Sequence, residues 1–132
     1  MEDPRAASRV IGQCANLGVE FALDDFGRAY STLDLLRYLP AQELKIDRSF
    51  VQDLGHDQEA EAIVRGIVGL ARSFGCRVVG EGIETVEQGL ALLRLGCGSG
   101  QGYLIARPMP AQQLQSWLRA WEPPALWQAA AA

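Results

Sequence analysis

Histidine is nearly absent from the 132-residue sequence, which has only His56, and cysteine is confined to Cys14, Cys76 and Cys97. An odd number of widely spaced cysteines with no Cys-x-x-Cys pair excludes a structural zinc site and argues against a disulfide framework. The three read as small apolar fillers. His56 stands in the polar run Leu54-Gly55-His56-Asp57 and reads as a solvated loop residue rather than a catalytic base. No stretch approaches the roughly 20 consecutive apolar residues that cross a bilayer. The opening Met-Glu-Asp-Pro-Arg has neither the basic nor the apolar region of a secretory leader, so the expected compartment is the cytoplasm. Also missing is any Gly-x-Gly-x-x-Gly or Walker-type segment after a strand, which argues against a Rossmann or P-loop sheet. A net charge of −4 disfavours electrostatic capture of long nucleic acid. Lysine is as scarce as histidine. Eleven of the twelve basic residues are arginine, leaving Lys45 as the one compact ammonium where a planar guanidinium would not serve.

What remains is the composition of one globular domain, 48% hydrophobic and 21% charged, long enough to bury a core without staples. A first helix is expected from a cap at Asp3 and Pro4 through Val10, Cys14 and Leu17 to Gly18. A strand, Val19 to Leu23, then runs into Asp24-Asp25-Phe26-Gly27. A short helix follows from Ser31 to Tyr38, before Pro40. The second strand is Glu43 to Asp47. The clearest element is a helix capped by Asp57, with Ala60, Ile63, Val64, Ile67, Val68, Ala71 and Phe74 on one stripe and Gly75 at its end. Cys76 to Glu81 reads as a strand, Thr85 and Gln88 as the capping box of the next helix, and Gly100 to Leu104 as the last strand. A final helix after Pro110 presents Leu114, Trp117, Leu118 and Trp121. The boundaries are 1–122 for the domain and 123–132 for a Pro/Ala-rich tail expected to be frayed. One helix followed by four strand–helix units predicts a parallel α/β sheet, open or barrel-like.

Reactive groups in such folds gather at the C-terminal ends of the strands. Those ends carry Asp24 and Asp25, then Lys45 and Asp47, then Glu81 and Glu84, then Gln101. Adjacent carboxylates repel, and a hard divalent cation with oxygen ligands offsets that repulsion. The set predicts a divalent-metal site for a phosphorylated or otherwise anionic small molecule. On this chemistry alone, phosphoester hydrolysis and metal-assisted enolisation both stay open.

The runs Ala22-Leu23-Asp24-Asp25-Phe26-Gly27, Leu44-Lys45-Ile46-Asp47-Arg48-Ser49-Phe50-Val51, Gly80-Glu81-Gly82-Ile83-Glu84-Thr85 and Gln101-Gly102-Tyr103 resemble successive motifs of the EAL family. Gly96-Cys97 and Arg107-Pro108 match as well. That family comprises bacterial signalling domains that hydrolyse cyclic di-GMP to linear pGpG with Mg²⁺ or Mn²⁺ on a TIM-like barrel. The resemblance implies metal ligands at Asp24, Asp25 and Glu81, and catalytic roles for Lys45, Glu81 and Asp25. It implies substrate contacts at Gln101 and Asp47, and a role for Glu84 in holding the loop after Asp25.

Three departures accompany the match. The family domain is about twice this length, and its Glu-Ala-Leu motif and earlier metal ligands have no counterpart here. Glu61-Ala62-Ile63 is superficially similar but lies inside an amphipathic stretch. Arg28-Ala29 replace the usual Thr-Gly, and Gly98 stands where an Asp commonly follows Gly-Cys. The expected fold is therefore the C-terminal half of a TIM-like barrel, about four parallel strands alternating with helices. Such a half would pair with itself or with a missing N-terminal half. The expected function is a fragment of a cyclic di-GMP phosphodiesterase, weak or inactive alone. The alternative is a degenerate module that binds cyclic di-GMP or a protein partner.

Overall fold

Leu44 and Ile46 have no exposed surface, whereas Lys45 between them turns toward the opposite side. This alternation belongs to β2 (Glu43–Ile46), a strand inside a sheet with one face on the core. The computed structural model describes residues 4–28 and 36–131. Its four-stranded sheet has the order β1 (Ala22–Phe26), β2, β3 (Arg77–Glu81) and β4 (Ser99–Gln101), each parallel to its neighbour. Leu44 pairs with Leu23 and Val78, and Ile46 with Phe26 and Gly80, so one face of the sheet is apolar in register.

The helices are α1 (Pro4–Ala15), α2 (Arg48–Gln52), α3 (Gln58–Phe74), α4 (Val86–Arg94), α5 (Ala111–Ala120) and α6 (Ala125–Ala131), and α2 and α3 pack against that face. The α3 helix buries Ala60, Val64, Ile67, Val68 and Ala71, the expected stripe; Phe74 at its end is 52% exposed. Asp57 caps it by accepting from the Glu59 amide at 2.8 Å, and Gly75 ends it at φ 69°. The capping box on α4 is present: the Gln88 amide donates to Thr85, and the Gln88 side-chain oxygen accepts from the Thr85 and Glu84 amides.

Several boundaries differ from the sequence reading. The first strand begins at Ala22 rather than Val19, and the last ends at Gln101, because Ile105 and Ala106 fold back to donate to the Gly102 carbonyl. The five-residue α2 is too short to show helical periodicity and was not expected. The tail expected to be frayed is instead helical as α6. Trp127 is 8% exposed, its ring lies over Gly89, and its indole N–H donates to the Val86 carbonyl at 2.8 Å. Tertiary burial of one aromatic overrides the weak local signal. The apolar stripe expected of the first helix stays open, with Val10 in α1 59% and Leu17, past its end, 84% exposed, and α5 buries no residue. Asp3 and most of the expected helix from Ser31 lie outside the described residues; 36–38 are helical.

Candidate active site at the strand ends

On the face away from the core, strand register places Lys45 in line with Val79, and Glu81 opposite Gln101. The contribution of β1 depends on an irregularity. Leu23 pairs with Leu44 and Phe26 with Ile46, so two residues, Asp24 and Asp25, face the single Lys45 of β2. This is a one-residue bulge, and Asp25 takes the left-handed conformation at φ 51° that it requires. In an unbroken strand, successive side chains would point to opposite faces. The bulge lets both carboxylates leave on the open face while Leu23 and Phe26 stay with the core.

Ligand oxygens of Asp24, Asp25 and Glu81 all lie within 4.8 Å of one another. The Lys45 ammonium donates to Glu81 Oε1 at 2.5 Å and to Asp24 Oδ1 at 3.1 Å, and Gln101 Nε2 donates to Glu81 Oε1 at 2.8 Å. The Lys45 hydrogen bond holds the Asp24 carboxyl below its usual range, and the Glu81 hydrogen bond raises the Lys45 ammonium above its own. Burial pushes Glu81 upward despite Lys45, and repulsion from Asp24 adds to the effect. Three carboxylates facing one ammonium leave two negative charges uncompensated within the ring. Hard oxygen donors and that residual charge fit one divalent cation of the Mg²⁺ or Mn²⁺ type.

Two glycines fix the loops behind these side chains. Gly82, at φ 74°, follows Glu81, with the aliphatic stem of Arg48 packed where a side chain would stand. Gly102 follows Gln101 and lies so close to the Ile83 backbone that no Cβ fits; the Ile83 amide donates to the Gln101 carbonyl at 3.1 Å. Glu81 and Gln101 thus belong to one locked corner. Beside it opens a cleft of about 590 Å³, whose lining includes Arg48, Glu84, Tyr103, Arg107 and Trp117, with the Arg107 guanidinium 4.5 Å above the Tyr103 ring.

Of the expected site residues, Asp24, Asp25, Lys45, Glu81 and Gln101 come together. Glu84 does not join that ring, and Asp47 borders it, its carboxyl within hydrogen-bond reach of Asp25. Asp47 is 5% exposed and caps α2, accepting from the Ser49 amide at 2.9 Å and the Ser49 hydroxyl at 2.5 Å, while its other oxygen lies 3.6 Å from Arg28. Burial opposes ionisation of Asp47, but the Ser49 bonds and Arg28 prevail and its carboxyl titrates below the usual range. Glu84 pairs with Arg48 at 3.3 Å; the loop it was expected to hold lies largely outside the described residues.

A family model described as EAL domain matches residues 1–108. The chain belongs to the EAL domain family. Among relatives, the bifunctional diguanylate cyclase/cyclic di-GMP phosphodiesterase MucR of Pseudomonas aeruginosa is 49% identical over 114 residues, covering 86% of this chain and 17% of that protein. The cyclic di-GMP phosphodiesterase RocR of the same species is 45% identical over 96 residues, covering 73% of this chain and 24% of that protein. The EAL domain structure of Mycobacterium smegmatis DcpA superposes with a TM-score of 0.86 at 41% identity, covering 94% of this chain and 56% of that one. The MucR phosphodiesterase in complex with c-di-GMP gives a TM-score of 0.80 at 49% identity over 86% of this chain and 46% of that one. The chain thus spans about a quarter or less of these relatives and about half of each solved chain. Its four parallel strands are part of the TIM-like barrel of EAL domains.

Arg48, Tyr103 and Arg107 were not singled out among the EAL site residues, although each lies in or beside a matching motif run. Their signal was position: Arg48 follows the second strand, and the other two follow the last. No helix among the described residues is long and apolar enough to cross a membrane.

Proposed function

We propose that the chain is part of a cytoplasmic signalling phosphodiesterase that hydrolyses cyclic di-GMP to pGpG, with weak or no turnover from this chain alone. The observation that carries this reading is the grouping of Asp24, Asp25 and Glu81 around Lys45 at the ends of three adjacent strands. Asp24, Asp25 and Glu81 would hold Mg²⁺ or Mn²⁺, which when bound activates water and screens phosphoryl charge. Lys45 meets a non-bridging phosphate oxygen or orients the attacking water. Either Glu81, kept in place by Gln101, or Asp25 accepts the one proton the water gives up as its oxygen bonds to phosphorus and the P–O bond to the departing sugar oxygen breaks. Gln101 also borders the cleft, where its amide meets the ligand and Arg48 and Arg107 supply positive charge for a phosphodiester.

A second reading, a module that binds cyclic di-GMP or a partner without hydrolysis, is favoured by Arg28-Ala29 in the loop after Asp25. Turnover to pGpG with excess Mn²⁺, followed by chromatography, separates the two. Formation of pGpG above a Lys45→Ala control supports the hydrolase. Binding of cyclic di-GMP without turnover, indifferent to Mn²⁺, supports the module.

A further inference from the structure

The strands that carry the clustered carboxylates, β1 and β3, flank β2 on either side, and each runs straight into a loop. Each loop is tied to one of two adjacent residues just past β2, Asp47 and Arg48. On the first side, the Asp47 amide donates to the Phe26 carbonyl at 3.4 Å, and its carboxylate pairs with Arg28 at 3.6 Å. The Arg28 amide donates in turn to the Asp25 carbonyl at 3.4 Å, closing a turn over residues 25–28. Gly27, at φ 108°, seats that turn against the Phe50 ring of α2. On the other side, the Arg48 stem packs on Gly82 and its guanidinium reaches Glu84 at 3.3 Å. With its amide oxygen facing Arg48, Gln52 accepts two hydrogen bonds from the same guanidinium at 2.9 Å. The loop is fastened to Gln88 as well, whose side-chain NH₂ donates to the Gln52 carbonyl at 3.4 Å.

We propose that the Asp47–Arg48 corner is a positioning device that holds the loops after β1 and β3 together and so sets the spacing of Asp25 from Glu81. Asp47 and Arg48 work in opposite directions along the sheet, one toward each neighbouring strand, with Lys45 two residues behind them inside the ring. Arg28 is this chain's own part in the device: a long cation reaches Asp47 where the family loop usually carries a threonine. The proposal rests on the metal reading above only for its chemical consequence; the mechanical claim stands on the contacts themselves.

Hydrogen–deuterium exchange by mass spectrometry on the whole chain tests it, with Mn²⁺ affinity by electron paramagnetic resonance as a second readout. In Arg28→Ala, exchange across residues 24–28 should rise by up to about fivefold, the upper end for losing one partly exposed ion pair. In Arg48→Met the same rise should appear across 82–85, with α3 unchanged in both. Each variant should weaken Mn²⁺ by a similar factor, and Arg28→Lys should restore both readouts to near wild type. Unchanged exchange in both loops overturns the proposal. Faster exchange with unaltered Mn²⁺ affinity also overturns it, because the corner would then stabilise the loops without setting the site. A wild-type chain that binds no Mn²⁺ would instead remove the metal reading, and exchange alone would decide for or against the corner.

Discussion

Asp47 combines a nearly full burial with a retained charge, and its stability contribution has a definite pH dependence. Its folded carboxyl titrates below the ordinary 3.8 because Ser49 and Arg28 favour the anion against burial. A carboxyl depressed in the folded state stabilises fully above its unfolded value, and that contribution is lost as pH falls through the folded one. Asp47→Ala should therefore cost about 1 kcal/mol at pH 7, the usual worth of a helix cap. The gap between variant and wild type should narrow below about pH 4. Urea titrations at pH 7 and pH 3.5 check this, and an equal gap at both would remove the charge from the account. Lys45 is the other residue with a sharp expectation. Its loss leaves Asp24, Asp25 and Glu81 facing one another unscreened, so Lys45→Ala should abolish measurable pGpG formation while the core, which it does not touch, keeps the chain folded by circular dichroism.

At the level of elements, the C-terminal helix and α3 show what a sequence reveals of its fold and what it conceals. Caps and a long stripe made α3 and the α4 capping box legible, since Asp57, Gly75, Thr85 and Gln88 act within a few residues of themselves. The same locality hid α2, whose five residues make little more than one turn. It also hid α6, whose order comes from Trp127 meeting Gly89 across more than thirty residues of chain. Trp127→Ala should lower stability by about 3 kcal/mol, as for other buried large-to-small changes, and shift the urea midpoint. No shift would mean that α6 contributes nothing to the fold. In the site, residue identity and strand ends pointed to the ring of Asp24, Asp25, Lys45, Glu81 and Gln101. What they withheld was tertiary partnering: Asp47 reads like its neighbours in sequence, but its oxygens are engaged by Ser49 and Arg28.

Across the whole molecule, one face of the sheet lies open and both outer strands keep an unpaired edge among the described residues. Exposed edges recruit further strands. Val10, Leu17, Leu114 and Leu118 add apolar surface at the helices. The chain should therefore self-associate at micromolar concentration, which light scattering after size-exclusion chromatography would register as a mass above 14.4 kDa. A monodisperse monomer would count against it.

The doubled aspartate of β1 has an evolutionary reading. Remove either acid, and Leu23, one Asp and Phe26 would match Leu44, Lys45 and Ile46 one for one, with both apolar anchors still on the core. The strand register has no use for the second codon, and the chain bears the unfavourable conformation of Asp25 to keep it. A one-codon deletion is thus the route by which a lineage could shed the site while its scaffold gained stability. Comparing that deletion with Asp25→Asn would separate what the second acid does for chemistry from what the extra residue takes from the fold.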